Sequence, residues 1–242
     1  MSFKAIKVET EAEGSTWKNI ENLRVVSRIS GLPLYLKIGG PEAKTDTLMA
    51  VEQGVDGLIA PMVESPFAAE KFANMTANLG FTWLGITIET VTALRNLKEI
   101  AKVAAEAGMS GLTLGRGDFC ASAKIKGQED SAEMMNYARE FIDVAGGFSL
   151  NLGMGGNLQR SSILFAHDLG SRLDFIESRR VVLKNSFDLE EMEAQVELAL
   201  NWELTQIREA KQDLELTIAS MDGRIQTLAE RLRVETSGDL GE

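Results

Sequence analysis

The feature that most constrains this chain is the regular return of short β-rich runs separated by stretches with helical spacing. The runs are Ala5-Ile6-Lys7-Val8, Leu34 to Ile38, Gly57 to Met62, Leu84 to Glu89, Gly111 to Gly115, Ser149 to Gly153 and Leu173 to Ile176. Between them Trp17 to Ile29, Ala43 to Gln53, Phe67 to Leu79, Val91 to Ala107, Ala132 to Val144 and Asn157 to Leu169 carry helical periodicity. Units of roughly 25 to 30 residues with this alternation imply right-handed βαβ crossovers and a parallel sheet. About seven units predict an α/β fold, a (β/α)8 TIM-type barrel, with a doubly wound sheet as the alternative. Arg180-Val181-Val182-Leu183 reads as an eighth strand, but only Glu177-Ser178-Arg179 separate it from the seventh. A parallel crossover needs roughly a dozen residues. The barrel is therefore expected to be irregular at its closure, or one of these strands is a loop.

Beyond Phe187 the pattern changes. Leu200, Ile207, Leu214, Met221 and Leu228 recur every seven residues, and Leu204, Lys211, Ile218, Ile225 and Leu232 form a second seam four residues later. An a/d heptad sustained this long, with charges between, predicts a coiled-coil helix, and hence a homo-oligomer joined through it. The expected domains are a barrel over 1–187, a C-terminal helix over 188–234 and a flexible tail over 235–242.

Composition removes several functions. A net charge of -11 argues against nucleic acid as a partner. No apolar run approaches the length that spans a bilayer, one cysteine forms no internal disulfide, and the first residues lack a secretory pattern, so the cytoplasm is the expected location. The single histidine, His167, excludes multi-histidine metal sites. Carboxylates must carry most of any chemistry.

In a parallel barrel, functional side chains gather at the C-terminal strand ends. Here those ends read Glu9-Thr10-Glu11-Ala12-Glu13-Gly14, Lys37-Ile38-Gly39-Gly40, Pro61-Met62-Val63-Glu64-Ser65, Glu89-Thr90 and Gly115-Arg116-Gly117-Asp118. Any one such acid is more often a helix N-cap than a ligand, but acids recur at these ends together with one lysine and one arginine. Glu89 and Asp118, on neighbouring strands, offer hard oxygen ligands to Mg2+ or Mn2+. Lys37 places a positive charge opposite them, and Gly115 and Gly117 let backbone approach a ligand. Such a set suits a 2-oxo acid whose enolate a cation stabilises. Glu177 with Arg179-Arg180 reads either as an ion pair across the mouth or as a structural pair. Gly153-Met154-Gly155-Gly156-Asn157 reads as an anion-binding turn or simply a tight βα turn, and Cys120 as a packing residue.

The runs Lys37-Ile38-Gly39-Gly40-Pro41-Glu42-Ala43, Ala60-Pro61-Met62-Val63-Glu64-Ser65, Ile88-Glu89-Thr90 with Ala93-Leu94-Arg95-Asn96-Leu97, and Leu114-Gly115-Arg116-Gly117-Asp118-Phe119 resemble the HpcH/HpaI aldolase/citrate lyase superfamily. The resemblance covers about residues 5 to 185. It implies a barrel that uses Mg2+ or Mn2+ to stabilise a pyruvate enolate in C–C bond cleavage or formation, commonly as an oligomer. Carried across, Glu89 and Asp118 match the metal-binding carboxylates. Lys37 falls where the aldolases hold the substrate carboxylate with arginine, and Thr87 where they often have glutamine near the ketone. Glu52 falls where an acid supports a catalytic histidine, and that histidine is missing. The base is then Glu11, Glu13, a metal-bound water or a substrate phosphate.

Two readings follow. The first is a divalent-metal-dependent carbon–carbon lyase acting on a 2-oxo acid or its phosphoenol form. Its catalytic candidates are Lys37, Arg116, Glu11 and Glu13, and its substrate-binding candidates are Lys37, Thr87, Gly115 and Arg116. The second is a non-catalytic ligand-binding barrel that oligomerises or recruits a partner through its coil.

Overall fold

The computed structural model describes residues 3–11 and 14–237, with side chains described except at 217 and 228–237. Strands β1 (Phe3–Glu9), β2 (Leu34–Lys37), β3 (Gly57–Ala60), β4 (Trp83–Ile88), β5 (Gly111–Gly115), β6 (Asn151–Gly155), β7 (Phe175–Glu177) and β8 (Val181–Lys184) close in sequence order into one barrel. The first seven run parallel to one another. β8 runs antiparallel to both β7 and β1. The short link from β7 explains this reversal: Ser178 to Arg180 can make a hairpin but not a crossover. Ser178 Oγ accepts from the backbone N–H of Arg180 (3.1 Å) and of Val181 (3.2 Å), which fixes the turn. The irregular closure is thus a reversed eighth strand, whose turn opens at the same mouth as the βα loops.

Helices α1 (Trp17–Ser30), α2 (Lys44–Glu52), α3 (Pro66–Thr76), α4 (Val91–Arg95), α5 (Leu97–Glu106), α6 (Arg116–Ser122), α7 (Ala132–Ala145) and α8 (Arg160–Leu169) surround the barrel. Several begin with side-chain caps at the mouth end. The Thr16 and Ser65 hydroxyls accept from Asn19 N–H and Ala68 N–H, and Ser131 caps α7 in the same way. The apolar stretch Val91 to Ala107 splits into α4 and α5 at Asn96, and the residues after Gly115 form α6, outside the stretches of helical spacing.

A packed interior closes the bottom of the barrel. Tyr35 and Trp83 stack with centroids 5.4 Å apart, and Trp83 meets Phe175 edge-on at 5.8 Å. Ala5, Ile59 and Val182 join them. Three aromatic rings fit because neighbouring strands carry no side chain: a Cβ on Gly153 would lie 2.1 Å from the Phe175 ring, and one on Gly57 2.7 Å from Tyr35. Because strand side chains alternate, the rings fix the inward face of each strand. Lys7 and Glu9, Lys37, Thr87 and Glu89, and Glu177 therefore point inward above this plug.

The compact barrel unit runs through Ala199. It includes the first turns of the last helix, α9 (Leu189–Ser237), where Met192, Val196 and Ala199 are buried and Glu193 pairs with Arg160 on α8 at 2.8 Å. From Leu200 a second unit continues as helix. Along it Leu204, Ile207, Leu214, Ile218, Met221 and Ile225 are exposed, and Lys211 pairs with Glu215 at 3.6 Å. The side chains of Leu228 and Leu232, and residues 238–242 of the expected tail, lie outside the described residues. No described helix is long and apolar enough to cross a membrane.

Candidate active site at the barrel mouth

β1, β2 and β4 deliver three charged groups to one point. Lys37 Nζ lies 3.5 Å from Glu89 Oε2 and 3.7 Å from Glu9 Oε2. Burial alone would lower the Lys37 pKa, but Glu89, Glu9, Glu177 and Asp118 outweigh it and hold the ammonium above the ordinary lysine value. Glu89 is almost fully buried. Burial raises its pKa, opposed by the Lys37 charge and by the Met62 N–H that donates to Oε1 at 2.8 Å, while nearby Asp118 raises it further. Met62 adopts φ 54° at the end of β3, which aims that N–H at the carboxylate. The floor beneath is glycine by necessity: a Cβ on Gly115 would meet Glu89 Oε2 at 2.8 Å and Thr87 Cγ2 at 2.9 Å.

The expected residues separate into those brought together and those not. Lys37, Glu89, Thr87 and Gly115 share the inner mouth, and Asp118, exposed in the first turn of α6, lies within electrostatic range of Lys37 and Glu89. Glu11 is exposed just past β1, its Oε1 covering Gly39 at 2.8 Å from a notional Cβ. Glu13 lies outside the described residues. Glu9, absent from the expected catalytic set, takes the inward position. Its parity with Ala5 and Lys7 was the available signal. Glu52 ends α2 and is exposed, and His167 is a half-exposed residue of α8 with its ring edge-on to Phe187 at 6.1 Å. Neither reaches the mouth.

Arg116 requires a correction. It was expected to face a ligand, but it is fully buried at the start of α6 and its guanidinium nitrogens are taken up by protein groups. Nε donates to Gly155 O (3.1 Å), Nη1 to Glu129 O (3.2 Å), and Nη2 to Gly156 O (2.9 Å) and Ser162 Oγ (3.2 Å), with Asp130 as its ion-pair partner. Burial pulls the Arg116 pKa down against the Asp130 charge. This guanidinium is a tie between α6, the β6–α8 turn and the Asp130 loop. The same contacts account for the glycine-rich turn. Gly156 has φ 86°, and a Cβ there would lie 2.4 Å from Gly117 N, so the turn serves close backbone packing. Cys120 is buried, its Sγ 3.6 Å from Met134 Sδ, and burial raises its pKa to about 11.

Glu177 forms no described side-chain pair with Arg179 or Arg180. Its Oε1 accepts from Lys7 Nζ at 2.6 Å, both groups being buried. Lys7 is a mouth residue that strand-end reasoning passed over, since it sits mid-strand.

Residues 37–148 match the family model described as HpcH/HpaI aldolase/citrate lyase. No curated protein matches the sequence. Among solved structures, an HpcH/HpaI aldolase/citrate lyase family protein from Burkholderia cenocepacia J2315 is similar with TM-score 0.62 and 14% identity, over 86% of this chain and 84% of that one. An HpcH/HpaI aldolase from Desulfitobacterium hafniense DCB-2 gives TM-score 0.60 at 13% identity over 81% of both chains. The citrate synthase SbnG gives 0.61 at 13% identity over 84% of both. At these identities the structural likeness speaks for the fold.

Proposed function

The chain belongs to the HpcH/HpaI aldolase/citrate lyase superfamily, and from that premise we propose that it is a carbon–carbon lyase acting on a 2-oxo acid, or its phosphoenol form, through a pyruvate-like enolate. The observation that carries the proposal is the inward convergence of Lys37, Glu9 and Glu89 at the mouth. Lys37 supplies a permanent ammonium that anchors the ligand carboxylate by charge. Held protonated by four carboxylates, it is a poor nucleophile, which disfavours a Schiff base.

The residues fit a divalent cation. Glu89 and Asp118 are hard oxygen donors close enough for their charges to repel each other, and although no group of three or more His, Cys, Asp or Glu is placed to hold a metal among the described residues, this pair would hold the cation with ligand oxygens and water completing its shell. Bound there, Mg2+ or Mn2+ would supply Lewis-acid stabilisation of enolate charge. The Met62 N–H holds Glu89 in place.

Exchange of the pyruvate methyl protons in D2O with Mg2+ tests this reading. Exchange that disappears in Lys37→Met is expected. Absence of exchange in the wild-type chain refutes it. The position of His167 away from the mouth favours a second reading, a ligand-binding barrel without catalysis, which binds pyruvate or oxalate but shows no exchange.

We also propose that α9 from Leu200 onward joins copies of this chain. The exposed Leu204, Ile207, Leu214, Ile218 and Ile225 form a longer apolar stripe than a soluble monomer ordinarily leaves uncovered. Light scattering on the full chain and on a truncation after Ala199, which spares the buried Met192 and Val196, should show a drop in oligomer mass. An unchanged mass removes this role.

A further inference from the structure

Four carboxylates stand at or near the mouth, and their oxygens are not equally committed. Glu9 Oε2 faces Lys37, while Glu89 takes the Met62 N–H on one oxygen and Lys37 on the other. Asp118 is exposed. Glu177 differs from all three. Oε1 is bound by Lys7, yet Oε2 is buried without a hydrogen-bond donor among the described residues, and the side chain as a whole is only 7% exposed. A buried carboxylate oxygen without a donor is unfavourable by about 1–3 kcal/mol or more, so such an atom in an active-site mouth is an acceptor awaiting a partner.

The surroundings hold the Glu177 carboxylate through its other atoms. Glu177 is the last residue of β7, followed by the turn that Ser178 fixes. Lys7, besides its ammonium contact, donates its backbone N–H to Arg180 O at 2.7 Å, so both ends of the pair are tied to the same hairpin. On the other side a Cβ at Gly155 would lie 2.8 Å from Glu177 Cγ and 3.0 Å from Oε1, so the carboxylate fills the space left by glycine. The charge of Glu177 is felt by Lys37, which puts it in the same cluster as the carboxylate anchor.

We propose that Glu177, aligned by Lys7, is a catalytic residue, the proton acceptor for a ligand hydroxyl in the bond-cleaving step. The assignment rests on the enolate reading above and supplies a base where the chain has no histidine. The ligand then carries its hydroxyl on the carbon whose bond to the enolate carbon breaks. Its O–H proton passes to Glu177 Oε2, the oxygen's pair forms the new carbonyl, and the C–C pair becomes the enolate. In the reverse direction the protonated carboxyl returns the proton to the aldehyde oxygen as the enolate carbon attacks. No oxidant or reductant is required. Lys7 is a positioning residue. It holds Oε1 and leaves Oε2 to the ligand.

Two reactions that share the enolate but differ in their need for a base provide the test. Decarboxylation of oxaloacetate yields the pyruvate enolate with no hydroxyl proton to remove, whereas aldol addition of pyruvate to glycolaldehyde requires the proton transfer. With Mg2+ present, Glu177→Gln is expected to lose aldol addition by about 10²–10⁴-fold in kcat, a far larger factor than its loss of oxaloacetate decarboxylation. The double variant Lys7→Glu with Glu177→Lys restores a buried pair in reversed orientation. It is expected to unfold near the wild-type midpoint and to remain defective in addition. Addition at the wild-type rate in Glu177→Gln, or its recovery in the reversed pair, would overturn the proposal and leave the pair structural. Decarboxylation by the wild-type chain no faster than with Mg2+ alone would refute the enolate reading itself, and the base assignment with it.

Discussion

Arg116→Ala separates a structural tie from a ligand contact. The guanidinium is fully buried and engages three backbone carbonyls, the Ser162 hydroxyl and Asp130, with the Phe165 ring 5.2 Å from its centre. Truncation strands the Gly155, Gly156 and Glu129 carbonyls, each unfavourable by about 1–3 kcal/mol if left dry. It also leaves Asp130 without its cation, and breaking one side of a buried pair destabilises by about 3–5 kcal/mol. These terms overlap, because water entering the void solvates both the carbonyls and the carboxylate. The expected loss is therefore about 4 kcal/mol, from a total typically about 5–15 kcal/mol. For a chain of this size that corresponds to a fall in Tm of about 8–16 °C. Arg116→Lys keeps a charge opposite Asp130 but reaches fewer acceptors, so a loss of about half as much is expected. Urea unfolding and a thermal scan read the stability, and pyruvate binding well below the transition reads the site. Wild-type stability combined with lost pyruvate binding would refute the structural assignment and return Arg116 to the ligand.

Asp118→Asn is expected to weaken Mn2+ binding at least tenfold by calorimetry, and unchanged affinity would remove Asp118 from the cation site. Borohydride reduction in the presence of pyruvate should leave the protein mass unchanged, since Lys37 is held as an ammonium, whereas an adduct on Lys37 would replace anchoring by a Schiff base. Hydrogen bonds from Ser161, Gln159 and Ser162 and the Arg116 charge outweigh the burial that raises the Asp130 pKa, and they hold it below the usual value. A depressed carboxylate pKa contributes stability that is complete above about pH 5 and is lost as the pH falls below the free value of about 3.9 and through the folded one. Asp130→Asn should therefore lower the urea midpoint at pH 7 and narrow its gap from wild type toward pH 3, and a pH-independent gap would contradict the linkage. Gly115→Ala should impair the mouth more than the fold, because its Cβ would press on Glu89 Oε2 at 2.8 Å, and unaltered proton exchange in this variant would show that Glu89 has room to move.

The sequence by itself determined the strands, because short β-rich runs at a fixed spacing admit few folds, and it exposed the conflict at closure, because three residues are too few for a crossover. It also placed Lys37 and Glu89 at strand ends, since strand parity and βα order are local properties. The heptad from Leu200 was equally legible as a pattern. Tertiary structure decided what depends on direction and on distance along the chain. Glu9 and not Glu11 faces inward because β1 ends at Glu9, a boundary that a run of alternating acids does not mark. Arg116, the first residue of a helix, is buried against acceptors on β6 and the Asp130 loop that no local pattern announces. Lys7 and Glu177 are 170 residues apart. They meet only because the reversed eighth strand closes the barrel between them, and a Glu177 oxygen without a donor among the described residues arises in the closed structure alone.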